Sequence, residues 1–141
     1  QVNSNSMKIA LLLTSVLFVL AMPVRGQGDN AISDRIEAAI KAGNAHELAK
    51  LLSPSVDLNI PDNEGVYSNA QAELILKDFF AKNNPTGYKT LHKGSSRDGA
   101  LYSIGNLETE KGVYRAYFYM KKKDEDYFIH EFSLNSEEKD E

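Results

Sequence analysis

The sequence predicts one α+β domain in which N-terminal helices pack on a curved antiparallel sheet. Before Pro85 most apolar residues recur with the helical period of 3.6, and after Pro85 they alternate with the strand period of 2. Helices and strands that are segregated in this way favour an α+β architecture over an alternating βαβ one. A length of 141 residues, with 42% hydrophobic and 26% charged residues, suits a single domain with its own core.

Residues 7–26 have the pattern of a signal peptide. Met7 precedes the apolar run 9–22, which is shorter than the roughly 20 residues that a bilayer-spanning helix needs. A helix breaker and small residues follow, so we expect cleavage after Gly26, export to the periplasm or the medium, and no membrane span after signal removal. A retained membrane anchor is the alternative. Residues 1–6 are set aside as sequence upstream of the initiator.

The first two elements of the domain are predicted to be short helices. An apolar stripe at the spacing i, i+4, i+7 and i+8 ends at Gly43, a residue that commonly terminates helices. This stripe consists of Ile32, Ile36, Ala39 and Ile40. Asn44 is expected to cap a second helix, with Glu47 at the third position of a capping box.

A short strand and a long helix come next. Apolar residues alternate with polar ones over 56–60, which predicts a half-buried strand followed by a turn-rich stretch. Ser68 and Gln71 then form a second capping-box pattern at the start of the strongest helical stripe in the chain. The residues of that stripe are Ala72, Ile75, Leu76, Phe79 and Phe80.

The C-terminal half is predicted to be an antiparallel meander. Four strand-like runs are separated by turns short enough for hairpins. They cover residues 88–95, 100–109, 113–122 and 127–135. The remaining residues, 136–141, are too charged to be buried and are expected to form a disordered acidic tail, which leaves 27–135 as the domain.

The alternation also predicts which strand residues face the core. Even-numbered residues of the last two strands form the apolar set, namely Tyr114, Ala116, Phe118, Met120, Phe128, His130, Phe132 and Leu134. Even residues can pair with even residues only across an odd loop, so we expect a three-residue turn at 124–126 unless a bulge intervenes. In the preceding strand, Ile104 and Leu107 share a face only if Gly105 or Asn106 forms a bulge.

Composition and charge exclude several classes of function. The chain has no cysteine, which excludes disulfides, thiolate nucleophiles and cysteine-ligated metals. Its net charge is −4, and signal removal takes away Lys8 and Arg25 but no acidic residue. A nucleic-acid partner needs a basic face. The one dense basic run, 121–123, is followed at once by the acidic run 124–126, so we expect no nucleic-acid binding.

Four sequence motifs resemble an uncharacterised family of small exported Bacteroidetes proteins, domain of unknown function 4783. The motifs are AIKAGNA at 39–45, EGVYS at 64–68, AELILKDFF at 72–80 and GSS at 94–96. The resemblance extends over about residues 31–135. The order of elements is similar to that of the cystatin-like, or nuclear-transport-factor-2-like, cone. The resemblance implies this fold and export, and it supplies no catalytic or ligand-binding residue.

Proteins that resemble this cone often enclose a pocket between the long helix and the concave side of the sheet. The residues expected to line such a pocket are Phe79, Tyr102, Tyr114, Phe128 and His130. An imidazole beside phenols could act as a general base next to donors that stabilise an oxyanion. The alternative is that His130 is a core residue satisfied by one hydrogen bond, and that the tyrosines carry their hydroxyls to water.

The opposite side of the sheet is a candidate interface. Arg115, Tyr117 and Tyr119 alternate with the core residues of their strand and belong to the types that are enriched in protein interfaces. Sheet-mediated dimers are common among proteins that resemble this fold, so we expect a homodimer or another protein partner here. An ordinary half-exposed sheet surface is the alternative.

No cofactor or metal is predicted. The oxygen-rich segment 57–65 departs from a calcium loop at Pro61 and Asp62, and an Asx-rich turn explains it. The three histidines, His46, His92 and His130, lack the spacing of metal ligands. The sequence also contains no nucleophile elbow, phosphate loop or zinc-protease motif.

These observations favour a non-catalytic exported module that binds a small apolar ligand in the cone or a protein partner through the sheet. The alternative is a small isomerase or lyase that uses His130 with a tyrosine. A third hypothesis, a scaffold part of a cell-envelope assembly, differs from the first only in its partner. An open pocket beside His130 would distinguish an enzyme or a ligand-binding protein from an interaction module.

Overall fold

The computed structural model describes residues 27–137, which form three helices and six strands. In chain order these are α1 (Gln27–Ala42), α2 (Ala45–Ala49), β1 (Leu52–Ile60), β2 (Asn63–Ser68), α3 (Asn69–Lys82), β3 (Pro85–Ser95), β4 (Leu101–Thr109), β5 (Gly112–Lys123) and β6 (Asp126–Ser136). The predicted upstream residues 1–6, the signal peptide at 7–26 and the last four residues of the predicted tail lie outside the described residues.

The strands form one curved, open sheet in the order β2-β1-β6-β5-β4-β3. β1 runs parallel to β6, and every other neighbouring pair is antiparallel. All three helices contribute to the buried core on one side of this sheet, with Ile36 from α1, Leu48 from α2 and Leu76 from α3 fully buried. The α+β fold with helices packed on a curved sheet is confirmed.

Local signals at Gly43 and Ser68 set two helix boundaries as predicted. At α2, the Asn44 side chain accepts from the amide of Glu47 as a cap, but the Glu47 side chain binds Lys50 and does not complete a capping box. Gly43 has a φ of 63° and ends α1. The amide of Asn44 donates to the carbonyl of Ala39 at 2.9 Å, which completes a Schellman-type stop. At the start of α3, Ser68 Oγ accepts from the amide of Gln71 at 3.2 Å, and Gln71 Oε1 accepts from the amide of Ser68 at 3.1 Å. The capping box is therefore complete in both directions.

The strand β2 was not predicted. It pairs with β1 from Ser55 opposite Ser68 to Ile60 opposite Asn63, and Asp62 in the intervening turn has a φ of 69°. Its Asn, Glu and Gly residues are typical of turns, and its residues are only half-buried or exposed. Pairing along β1 supplies the backbone hydrogen bonds that the local sequence does not indicate.

The predicted pairing of even with even residues in β5 and β6 holds from Tyr114 to Phe118 and fails from Met120 to the hairpin turn. Lys123 pairs with Asp126, so the turn has two central residues instead of three, and Asp124 has a φ of 57°. The extra residue is His130, which forms a bulge because Tyr119 pairs with Glu131 while Met120 pairs with Ile129. A single extra residue exchanges the two faces of a strand.

Because of this bulge, two residues that were predicted to lie in the core, Phe128 and His130, do not. Ile129 is fully buried on the core side, where Phe128 and His130 were expected. Phe128 instead pairs with Lys121 on the outer face and is half-exposed. His130 is half-exposed as well. Beyond the bulge the prediction is confirmed, because Phe132 pairs with Phe118 on the core side.

A second correction concerns β4. The ladder between β4 and β5 has no register shift, so neither Gly105 nor Asn106 forms a bulge. The bulge lies instead on β3, where Leu91 is the extra residue between Thr90 and His92. Odd residues of β4 therefore face the core, and Tyr102 lies on the outer face beside Ile104.

The first two residues of the predicted disordered tail, Ser136 and Glu137, contact the sheet. Ser136 is the last residue of β6 and pairs with Tyr114. The amide of Glu137 donates to the carbonyl of Val113 at 2.9 Å, and Glu137 Oε1 lies 2.6 Å from Arg115 Nη2. These contacts with β5 hold the start of the acidic segment against the sheet.

Candidate functional site

The structure divides the five predicted pocket residues between the two faces of the sheet. Phe79 and Tyr114 meet on the core side, with ring centroids 5.1 Å apart and an interplanar angle of 82°. Tyr114 also donates its hydroxyl hydrogen bond to Asn83 Oδ1 at 2.9 Å. Tyr102 lies on the outer face because the ladder between β4 and β5 has no register shift. Phe128 and His130 lie away from the core side because of the bulge at His130.

Side chains fill the core side of the sheet, where the predicted pocket would lie. The fully buried residues that occupy this face are Leu107, Ala116, Phe118, Met120, Ile129, Phe132 and Leu134. The rings of Phe118 and Phe132 are stacked with centroids 6.3 Å apart. The helices cover these residues, so this side of the sheet forms the hydrophobic core.

A groove of about 640 Å³ lies where β1 and β6 separate. Leu52 pairs with Ile129, and the next pair along the ladder is Asp57 with Glu131. Between these two pairs β1 has four residues, 53–56, whereas β6 has only His130. Residues 53–56 therefore leave the ladder with β6. We call the resulting cleft the basic groove.

The basic groove combines an apolar wall with a polar rim. It is lined by Ala49, Lys50, Leu52, Ser53, Pro54, Ser55, Asn69, Lys121, Lys122, Lys123, Phe128 and His130. Its volume falls within the roughly 300–1,000 Å³ of small-molecule sites, which are typically apolar with a few polar groups. None of the other four grooves that we describe in residues 27–137 is as large.

The groove is cationic although the chain is acidic. Four lysines line it, and none of its described lining residues is acidic. The sequence indicated that the acidic run after Lys123 would neutralise these lysines. In the structure Glu125 and Asp126 line a neighbouring groove on the other side of Phe128. Lys122 lines both grooves, whereas Lys121 and Lys123 line the basic groove and not the neighbouring one.

Three of the four lysines contact a neighbouring side chain. Lys50 Nζ lies 2.6 Å from Glu47 Oε1, and this hydrogen bond holds the pKa of the Glu47 carboxyl below its usual range. Lys122 Nζ lies 5.9 Å from the centroid of the Tyr127 ring. Lys121 Nζ lies 5.6 Å from the centroid of the Tyr119 ring, and a cation–π contact of this kind does not neutralise the ammonium charge.

His130 places a titratable imidazole in the groove wall. Its partial burial and the nearby Lys121 ammonium lower its pKa, and the Glu131 carboxylate opposes them only in part. The imidazole is therefore neutral at neutral pH. Protonation would add a positive charge to a cleft that already holds lysines.

This arrangement predicts a pH-dependent stability difference between the wild type and a His130→Gln variant. As the pH falls through about 6.5, the histidine of the unfolded chain gains a proton before the folded one does. The wild type should therefore lose stability relative to the variant between about pH 7.5 and pH 5. Denaturant unfolding at several pH values measures this, and a constant difference between the two proteins would contradict it.

The three predicted interface residues share the outer face of the sheet. Tyr119 pairs with Tyr102, Tyr117 with Ile104 and Arg115 with Asn106. Arg115 Nε donates to Asn106 Oδ1 at 2.9 Å, and all three interface residues are half-buried within the described chain. Partial burial and the Glu131 carboxylate raise the pKa of Tyr117, so its phenol is neutral at ordinary pH.

A histidine–tyrosine pair that the sequence did not indicate also lies on this face. His92 Nε2 is 3.0 Å from the Tyr102 hydroxyl, and their ring centroids are 5.5 Å apart. These residues meet because the Leu91 bulge turns His92 towards β4. The pair expected from the sequence is a different one, His130 with a tyrosine. Tyr114 does not form that pair, because Tyr114 and His130 lie on different sides of the sheet.

Residues 27–137 contain no cluster of three or more His, Asp or Glu side chains that could hold a metal ion. In the same part of the chain, no helix is long and apolar enough to cross a membrane.

Comparisons with known proteins agree with this architecture. The family model for a domain of unknown function, DUF4783, matches residues 33–135. A DUF4783 protein from Bacteroides uniformis is 28% identical with a TM-score of 0.70, over 75% of this chain and 97% of that one. One from Bacteroides fragilis is 28% identical with a TM-score of 0.68, over 73% and 96%. Among curated proteins, none matches significantly.

A more distant similarity concerns the fold alone. A variant of Rd1NTF2_05 is 12% identical with a TM-score of 0.60, and the match covers 75% of this chain and 95% of that one. The predicted nuclear-transport-factor-2-like cone is thereby confirmed as the fold of residues 27–137.

Proposed function

Since the chain belongs to the DUF4783 family of domains of unknown function, we propose a function from its own surface: an exported, non-catalytic module that binds a small molecule in the basic groove. The site differs from the one expected from the sequence, which lay inside the cone. The ligand-binding role is retained, and its location moves to the cleft between β1 and β6.

The observation that carries this proposal is the contrast between the two faces of the sheet. Phe118 and Phe132 are almost completely inaccessible on the core side, whereas Phe128 borders an open groove. Large apolar side chains that are left beside a concave, polar-rimmed surface are typical of binding sites. Export rests on the signal-peptide pattern of 7–26 and gives a periplasmic or secreted module.

A non-catalytic role agrees with the chemistry of the groove. General acid–base catalysis needs a donor and an acceptor that converge within hydrogen-bond reach of a substrate. The other titratable groups that line the groove are lysines, which attract anions but stay protonated at neutral pH. Of the two phenols expected to assist His130, Tyr102 interacts with His92 on the outer face and Tyr114 packs against Phe79 on the core side.

The proposal is tested by mapping a bound probe on the isotope-labelled protein. We expect 1-anilinonaphthalene-8-sulfonate, which carries an apolar ring system and one negative charge, to shift the backbone amide signals of residues 52–55 and 128–130. Ser55→Trp, which fills the groove from an exposed position, should abolish these shifts. Ser95→Trp on the distant strand β3 is the matched control. Shifts centred on Phe79 and Tyr114 would contradict the proposal.

A protein partner on the outer face is the second candidate function. Tyr102, Ile104, Tyr117 and Tyr119 form a half-exposed aromatic surface across β4 and β5. Aromatic residues and arginine are enriched at interfaces. Sedimentation of the wild type and of Tyr117→Asp tests for a homodimer: a wild-type dimer that the variant loses supports it, and a monomer at all concentrations contradicts it.

A further inference from the structure

We propose that the basic groove binds a free, single-chain anionic amphiphile. Its anionic headgroup contacts the ammonium groups of Lys121 and Lys123, and its alkyl chain lies along Leu52, Pro54 and Phe128. This inference rests on the proposed function and adds to it the chemical class of the ligand.

The first step of the argument is the position of the charges. Lys121 and Lys123 are two residues apart on β5, so their side chains leave the same face of the strand. Lys122 points to the other face, contacts Tyr127 and also borders the neighbouring groove that contains Glu125 and Asp126. Lys50 is paired with Glu47. Lys121 and Lys123 lie on the same face of the sheet as the Phe128 ring, and Asp126, which is opposite Lys123, lines the neighbouring groove. These two lysines therefore provide the positive charge that an anion beside Phe128 would meet.

The second step is the apolar surface beside these charges. Phe128 is the cross-strand partner of Lys121, so its ring lies next to the base of the ammonium-bearing side chain. Leu52 is 2% exposed at the floor, and Pro54 adds a ring that has no amide hydrogen to donate. A ligand that is anionic at one end and apolar at the other matches a groove in which lysine ammonium groups adjoin apolar side chains.

The third step concerns the source of the ligand. The apolar residues are recessed in a concave groove, with Leu52 at its buried floor, so they cannot insert into a bilayer as a protruding wedge would. The chain carries a net charge of −4, which disfavours its accumulation at an anionic membrane surface. A groove of about 640 Å³ suits a single free molecule.

The test is a titration with alkanoates below their critical micelle concentrations. Dissociation constants for hexanoate, octanoate and decanoate should fall by up to about fourfold for each added methylene group, the factor that full burial of one methylene gives. Decanol should bind at least about tenfold more weakly than decanoate because it lacks the charge-assisted hydrogen bonds. Decyltrimethylammonium should bind more weakly still.

A pair of variants assigns the headgroup site. Lys121→Gln combined with Lys123→Gln should weaken decanoate binding at least about tenfold and reduce its dependence on salt. Lys89→Gln combined with Lys111→Gln removes two exposed lysines outside the groove and is the control with the same change of net charge. Circular dichroism of both variants should match that of the wild type, since all four side chains are on the surface.

The outcomes separate this inference from the proposed function. Amide shifts at 52–55 and 128–130 that are equal for decanoate, decanol and decyltrimethylammonium would overturn the anionic class and leave the groove as a binding site. Co-sedimentation with anionic phospholipid vesicles, without alkanoate binding, would overturn the free ligand in favour of a membrane contact. The absence of any shift in the groove with every compound would overturn both proposals.

Discussion

Phe132→Ala is expected to lower the free energy of unfolding by about 3–5 kcal/mol, the usual cost of removing a buried phenylalanine ring. Phe128→Ala, on the same strand and four residues earlier, should lower it by less than about 1.5 kcal/mol, because a half-exposed ring loses little contact with the core. Phe132 is 1% exposed and stacks on Phe118. Equilibrium unfolding in urea measures both values.

This pair of variants tests the bulge at His130 directly. In a regular ladder with a three-residue turn, both phenylalanines would face the core and their replacement would cost similar amounts. The bulge moves Phe128 to the outer face and brings Ile129 into the core. Equal losses for Phe128→Ala and Phe132→Ala, with unchanged m-values, would be incompatible with the register described for β6.

The same variants also separate stability from binding. Phe128→Ala should weaken decanoate binding while the protein remains folded at room temperature, because the ring lines the basic groove. Phe132→Ala should leave the affinity of the folded fraction unchanged, since Phe132 faces the helices.

The helix boundaries could be predicted because their causes are local. The capping box at Ser68 and Gln71 and the stop at Gly43 each depend on residues within one turn of helix. The strand register could not be predicted in the same way. It depends on single extra residues, Leu91 and His130, and neither belongs to a residue type that marks a bulge. Because the side-chain period of a strand is 2, each bulge exchanges the faces of all residues beyond it.

The groove was not visible in the sequence for a related reason. Its walls come from β1 and from the hairpin of β5 and β6, which meet only through a parallel pairing between distant segments. The lysine run at 121–123 is evident in the sequence, but the acidic residues at 124–126 suggest that its charge is neutralised locally. Which grooves the lysines at 121–123 and the acidic residues at 124–126 line depends on the turn at Asp124, which is shorter than predicted.

Gly105→Ala is expected to have the second large effect, a loss of about 3 kcal/mol in the free energy of unfolding, at the upper end of the costs of overpacking. A Cβ atom at this position would lie 2.3 Å from the Tyr88 hydroxyl oxygen and 2.8 Å from the carbonyl oxygen of Lys89. Backbone atoms of the paired strand cannot move away as a flexible side-chain end can. Gly87→Ala is the matched control on β3, because its nearest neighbour is the mobile carboxylate of Glu108.

A double-mutant cycle with Tyr88→Ala identifies which contact causes this loss. Burial and the nearby Glu37 carboxylate raise the pKa of Tyr88, so the phenol stays protonated and its ring can lie across Gly105 in the interior. If the ring is the main obstacle, Gly105→Ala should cost at least about 1 kcal/mol less in the Tyr88→Ala background than in the wild type. An equal cost in both backgrounds would assign the clash to the Lys89 carbonyl, and glycine would then be required by the spacing of the strands alone.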